Sequence, residues 1–160
     1  MRKAPATRSV AADEPLGFVV ASVGNAAALA FEAALAEADV HPRHFAVMRG
    51  LRDGREQSQQ QLATALGIPA SRLVGLLQVL IDRGFVERRE APQDARAKLV
   101  RLTDAGRGEL QRLFELAGES ERRLTAGLSA QDQAELRRLL DVVYGNVAPE
   151  NAQVGPARVW

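Results

Sequence analysis

The stretch Ser58-Gln59-Gln60-Gln61-Leu62-Ala63-Thr64-Ala65-Leu66-Gly67-Ile68-Pro69 decides the fold. Ser58 and Gln61 have the spacing of a capping box, in which each side chain satisfies a backbone N–H left orphaned at a helix start. Leu62, Ala63 and Leu66 then mark a buried stripe, and Gly67 supplies the left-handed residue that closes a helix. One residue, Ile68, separates that stop from Pro69, whose fixed φ suits a helical first turn. The second helix is expected from Pro69 to about Arg83, with Leu73, Leu76, Leu77 and Leu80 inward and Gly84 as its stop. Two short helices joined by so tight a turn make a helix-turn-helix.

Working downstream, Phe85-Val86-Glu87-Arg88-Arg89 is strand-like and Lys98-Leu99-Val100-Arg101-Leu102 alternates with period two. Residues 90–95 between them hold Pro92 and polar side chains, so a hairpin with a charged loop is expected. Helix, turn, helix and hairpin in that order give a winged helix-turn-helix lobe. Thr103 is the expected N-cap of a long helix, with Asp104 at its positive end and Leu110, Leu113, Phe114, Ala117 and Leu124 along it. Ser129, with Asp132 three residues on, caps a last helix whose stripe is Leu136, Leu139, Leu140, Val143 and Val147, with Gly145 fraying its end.

Working upstream, Asp13 and Pro15 are start signals. Leu16, Val19, Val20, Val23, Ala27, Ala30, Phe31, Ala34 and Leu35 recur at helical spacing. The other face is mostly small (Ala21, Ser22, Gly24, Asn25, Ala26, Ala28) and lets another helix approach closely. Pro42 starts a short helix with Phe45, Val47, Met48 and Leu51 inward, ended by Asp53-Gly54. The expected class is mainly α, with one domain over residues 15–148. Within it, residues 15–40 and 104–148 form terminal helices around a lobe at 42–103. Residues 1–14, with Arg2, Lys3 and Arg8, read as a basic N-terminal tail. Residues 149–160, ending in Trp160, read as a C-terminal tail.

Composition narrows the function. A 46% hydrophobic and 26% charged chain is ordinary for a globular protein, which excludes wholesale disorder. No uninterrupted apolar run approaches the ~20 residues of a membrane span, and residues 1–13 lack a secretory apolar core. Cysteine is absent, so disulfides, zinc–cysteine sites and thiol redox sensing are excluded, and a reducing cytoplasm suits the chain. No nucleophile–base arrangement and no glycine-rich phosphate loop is visible, so an enzyme is not expected. His41 and His44 form His-x-x-His near Glu37 and Asp39, but two histidines flanking a proline make a poor metal set, and neither metal nor cofactor is expected. The net charge of +1 is a whole-chain sum, and it hides an asymmetry. Residues 58–101 carry seven basic and four acidic residues, whereas residues 109–141 carry five basic and seven acidic.

Three segments together carry a resemblance. Arg88-Arg89, Asp94-Ala95-Arg96 and Leu99-Val100-Arg101-Leu102-Thr103-Asp104-Ala105-Gly106 resemble the wing and following helix start of the MarR (multiple antibiotic resistance regulator) family of bacterial transcription regulators. Gln61-Leu62-Ala63, Leu66-Gly67-Ile68, Leu80 and Arg83-Gly84-Phe85-Val86 resemble its helix-turn-helix, and residues 41–48 its second helix. The similarity runs over roughly residues 16–147. It implies a homodimer with interlocked terminal helices, two winged lobes on a pseudo-palindromic duplex, and a repressor released by a small, often aromatic or phenolic, ligand. The chain departs from the family pattern at Val74, Gly75, Val79, Ile81 and Ala95, which replace polar or charged residues.

The resemblance assigns Asp94 to orient basic side chains and Arg96 to enter the minor groove, whose narrow form concentrates negative potential. On the second helix of the pair, Pro69, Ala70, Ser71, Arg72 and Gln78 are the expected major-groove set. Arg can pair with guanine and Gln with adenine in bidentate fashion, with phosphate contact alone as the alternative for Arg72 and no DNA contact as the alternative for Gln78. Ser58, Gln59 and Gln60 stand where a helix N-terminus meets phosphate, and Arg88 and Lys98 complete the expected DNA-contacting set on the wing. Phe18, Ser22, Asn25, His41, His44, Phe45 and Met48 are the expected ligand-pocket residues, with plain core packing as the alternative for Phe18, Phe45 and Met48. Independently of family, a helix with so much small surface cannot bury it within one subunit, so a homodimer is expected. Its two recognition helices would lie ~34 Å apart. The rival reading is a winged-helix module that binds protein, or a regulator with degenerate DNA recognition.

Overall fold

The capping box forms as its spacing requires: the Gln61 N–H donates to Ser58 Oγ (3.1 Å) and the Ser58 N–H donates to Gln61 Oε1 (2.9 Å). This fixes the start of the helix over Gln59–Leu66, and Gly67 closes it at φ +63°. The computed structural model describes residues 13–54, 56–91 and 94–147, without the side chains of residues 91–97. In chain order the elements are α1 (Leu16–Ala36), α2 (Pro42–Gly50), β1 (Gln57–Ser58), α3 (Gln59–Leu66), α4 (Ala70–Asp82), β2 (Val86–Ala91), β3 (Asp94–Leu102), α5 (Asp104–Leu124) and α6 (Ala130–Val147). The expected tails, with Arg2, Lys3, Arg8 and Trp160, lie outside the described residues.

The three strands form an antiparallel sheet in the order β1-β3-β2. Val86 faces Leu102, Arg88 faces Val100 and Glu90 faces Lys98, with an irregularity at Glu90/Ala91. Val86, Val100 and Leu102 are buried and root the hairpin in the core. That core is built from Leu35 of α1, Phe45, Val47 and Met48 of α2, Leu62 of α3, Leu73, Leu77 and Leu80 of α4, and Leu110 and Leu113 of α5. Apolar side chains at a spacing of three and four on α2, α3 and α4 thus meet the alternating residues of the sheet.

Four expectations are corrected. β1 has no counterpart in the sequence reading: Gln57 and Ser58 pair with Val100 and Leu99. The hairpin strands extend into residues 90–95, read as loop, because backbone pairing continues past the apolar residues. α1 ends at Ala36, short of residue 40, and Asp39 turns the chain at φ +53°. α6 continues helically through Gly145 to Val147.

The terminal helices differ most from the expectation of inward stripes. On α1 only Leu35 is buried, and Leu16 and Val23 remain 79% and 48% exposed. No residue of α6 is buried. α1, with 21 residues and a mean hydropathy of 1.7, also has the length and apolarity of a membrane span, contrary to the sequence expectation. Alanine together with scattered Leu, Val and Phe carries that hydropathy without a long run of large apolar residues.

Candidate nucleic-acid interface

The helix pair α3–α4 presents its polar first turns outward. Ser58 is committed on both sides, through the capping box and through strand pairing with Leu99. Gln60 is exposed, and Gln59 is half-buried with its Nε2 enclosed and lacking a hydrogen-bond partner. Their backbone N–H groups lie in the first helical turn, where no intrahelical acceptor exists. Pro69 is the N-cap of α4 and provides no side-chain capping bond. Pro69, Ala70, Ser71 and Arg72 are all exposed there. No ion pair joins Arg72 to another described residue. Further along the same face Val74 and Val79 are 46% and 41% exposed. Gly75 lies between them, and a Cβ built on it meets nothing within 4 Å. Ile81 instead turns partly inward and packs on the core, which explains an apolar residue there.

The wing sheet has two unlike faces. Residues directly opposite in an antiparallel pair share a face, so Val86, Leu102, Val100, Arg88, Glu90 and Lys98 lie on one side. This side begins apolar, against α4, and becomes charged toward the tip. The other side carries an ionic lattice. Arg89 pairs with Glu56 (2.6 Å), and Arg101 bonds Glu87 and stands 3.8 Å from Glu56. Lys98 donates to Glu90 at 2.7 Å, and together with the charge of Lys98 this bond lowers the Glu90 carboxyl below its ordinary range. Among the described residues, most of the wing's positive charge is therefore answered within the protein. Asp94 and Arg96 occupy β3 in backbone terms, with Asp94 opposite Ala91; their side chains lie outside the described residues.

Besides Ser58 and Lys98, two more expected DNA contacts have protein partners. Gln78 Nε2 donates to Asp82 Oδ1 (2.7 Å), and Arg88 Nη2 donates to Gln78 Oε1 (3.0 Å). Arg83, which closes α4, turns away from this face. It donates to the Asp39 carbonyl (2.5 Å) and lies 5.0 Å over the Phe85 ring. Glu56 and Asp82 were missed in the sequence. The Gln78–Asp82 spacing of one helical turn was a usable signal for Asp82, whereas nothing local marks Glu56.

The expected ligand-pocket residues do not converge. Phe18, Ser22 and Asn25 are exposed on α1, and Met48 is fully buried in the core. His41 caps α2 by accepting from the Arg43 N–H (3.1 Å) and stands 3.8 Å from Glu32. His44 is half-buried, and burial, followed by the charges of His41 and Arg83, lowers its pKa. Only Phe45 reaches an open groove of about 860 Å³ between α1, α2 and α5. There Phe45 meets Phe31 and Phe114 edge-on, with ring centroids 5.7 and 5.5 Å apart. Ala27, Ala30 and Ala34 form the groove's floor on α1, and Arg49 and Arg123 lie among its polar lining.

Comparisons with known proteins match this geometry. The MarR family model matches residues 38–97, which span the helix-turn-helix and most of the wing. A probable transcriptional regulator from Pseudomonas aeruginosa is 30% identical, with a TM-score of 0.71 over 82% of this chain and 98% of that one. A mutant MarR from E. coli complexed with operator DNA is 28% identical, with a TM-score of 0.71 over 81% and 93%. A MarR family transcriptional regulator from Rhodococcus sp. RHA1 is 25% identical, with a TM-score of 0.70 over 84% and 96%. In sequence, in element order and in the hairpin set against α4, this chain belongs to the MarR family.

Proposed function

We propose that this protein is a homodimeric, sequence-specific double-stranded DNA-binding transcription regulator of the cytoplasm, a repressor released by a small aromatic or phenolic ligand, with no enzymatic activity. One observation carries the reading. The first turn of α4 projects Pro69, Ala70, Ser71 and Arg72 outward beside a hairpin rooted against the same helix. A helix of this kind fits the major groove, and the adjacent hairpin follows the phosphate backbone. Arg72 reads a guanine edge, the N-terminus of α3 holds a phosphate through the backbone N–H groups of Gln59 and Gln60, and Arg96 enters the minor groove with Asp94 orienting it. The relative solved with operator DNA supports the DNA-binding reading.

The ligand occupies the groove between α1, α2 and α5. Its aromatic wall of Phe31, Phe45 and Phe114 suits a ring, and Arg49 and Arg123 suit an anionic substituent. Thermal-shift measurements with aromatic acids test it: a rise with ligand, lost in Arg49→Ala, is expected.

Gel retardation at stepped salt tests the DNA reading, since phosphate-driven affinity falls steeply with ionic strength. Arg72→Ala is expected to lose about 1–3 kcal/mol on the preferred site and to relax preference at one base pair. Equal losses on unrelated duplexes would remove the base-reading role. Failure to retard any duplex at low salt would favour the second reading, a protein-binding winged helix, to which the exposed Val74 and Val79 point.

A further inference from the structure

Four basic side chains of the wing sheet are described, and three of them face carboxylates: Arg89 faces Glu56, Lys98 faces Glu90, and Arg101 faces Glu87. Arg88 differs. Its acceptor is the neutral amide oxygen of Gln78 (3.0 Å), and no ion pair joins it to another described residue. Among the described residues no carboxylate therefore answers its charge, while the bond to Gln78 sets its direction. The strand register explains the reach: Arg88 lies opposite Val100, one step outward from the buried Val86–Leu102 pair, on the sheet side that packs against α4. Gln78 is exposed on α4, and its Nε2 is in turn held by Asp82 one helical turn on (2.7 Å).

We propose that Gln78 is a positioning residue, not a base reader, and that it aims the Arg88 guanidinium at a DNA phosphate beside the groove that α4 enters. Bidentate recognition of adenine needs both Oε1 and Nε2 of the amide turned to the base. Here Oε1 accepts from Arg88 and Nε2 donates to Asp82. An arginine has five N–H donors, so the bond to Gln78 leaves several for phosphate. Holding the long side chain in advance removes part of the rotamer entropy otherwise lost on binding. The chain Asp82–Gln78–Arg88 also ties the recognition helix to the wing, so both approach the duplex as one body. This inference rests on the DNA-binding reading above.

The test uses full-length protein and a duplex that the wild-type chain selects from a random pool, with a scrambled duplex as control. Both substituted positions are exposed, and urea melts verify that each variant folds. Gln78→Ala is expected to weaken binding about 3- to 10-fold, equally across base-pair variants of the site. Arg88→Ala is expected to reduce the slope of log affinity against log salt by about 1. In the Arg88→Ala background, Gln78→Ala is expected to add nothing. Gln78→Glu keeps the acceptor but neutralises Arg88, and is expected to lower the salt slope as Arg88→Ala does. The proposal is overturned if Gln78→Ala shifts preference at a single base pair, if the two alanine losses add in full, or if Arg88→Ala leaves the slope unchanged. A wild-type chain that selects and retards no duplex would overturn the DNA-binding reading and this inference with it.

Discussion

Thr103 joins the lobe to the long helix through one hydroxyl. It accepts from the Gly106 N–H (2.9 Å) and donates to the Gly84 carbonyl (2.6 Å), so the N-cap of α5 also fastens the turn that ends α4. Gly106 is buried against the next residue of that turn: a Cβ there would stand 1.9 Å from the Phe85 carbonyl oxygen. Backbone on both sides leaves no side chain to yield. Gly106→Ala is therefore expected to cost about 3 kcal/mol in urea melts, and Thr103→Ala about 1–2 kcal/mol. The cap was legible from Thr103 and Asp104. The close approach was not, because its partner Phe85 lies across the whole hairpin in sequence. His44 carries a pH dependence. Burial and the nearby His41 and Arg83 lower its pKa, so the unfolded chain takes up this proton more readily than the folded one. Stability from this group is complete above the ordinary histidine value of about 6.5 and is lost as pH falls through the lower folded value. Urea melts at about pH 7.5 and about pH 5.5 are expected to show that loss, reduced in His44→Gln. An unchanged difference in the variant would assign the loss to other groups.

At the scale of elements, helices announced themselves wherever caps and apolar spacing agreed. Ser58 with Gln61, Gly67, Thr103 and Ser129 with Asp132 all cap as their spacing predicts. β1 stayed hidden because two polar residues have no alternation to read; only the exposed edge of β3 makes them a strand. The ionic lattice of Glu56, Arg89, Arg101 and Glu87 stayed hidden for the same reason, since it depends on a register that no local pattern sets. Gly75 is a helical glycine that packing within the subunit does not explain. It sits inside α4 with open space where a Cβ would be, so intramolecular packing does not require it, and a helical glycine costs about 0.5–1 kcal/mol relative to alanine. Gly75→Ala is expected to stabilise the protein by about that amount in urea melts. If α4 lies in the major groove with its backbone close to the bases, the same change is expected to weaken DNA binding. A gain in stability with no loss of binding would show that the glycine serves no close approach.

At the scale of the whole molecule, the near-neutral charge and the bare terminal helices are parts of one argument. Three of the four described basic side chains on the wing are paired with Glu56, Glu87 and Glu90, which lowers the charge one lobe offers for non-specific attraction. Useful affinity then depends on two lobes held together, where the second contact gains from a high effective concentration. In the proposed homodimer the means of holding them is the apolar surface that one subunit leaves in water. Leu136, Leu140, Val143 and Val147 follow helical spacing along α6 and are all exposed, as are Leu16, Val20 and Val23 on α1. A soluble monomer rarely leaves so continuous an apolar stripe uncovered. Leu140, in the middle of the α6 stripe and 44% exposed, contributes little to a single subunit's core. In a symmetric dimer Leu140→Glu places two carboxylates in the interface, each losing its water without a partner, at a cost of several kcal/mol. The wild type is expected to sediment as a dimer at micromolar concentration, with a Tm that rises with protein concentration. Leu140→Glu is expected to sediment as a folded monomer, with a concentration-independent Tm, and to lose its preference for a palindromic site over a half-site. A wild type that sediments as a monomer would refute the dimer, and a variant that remains a dimer would place the interface elsewhere than on this stripe.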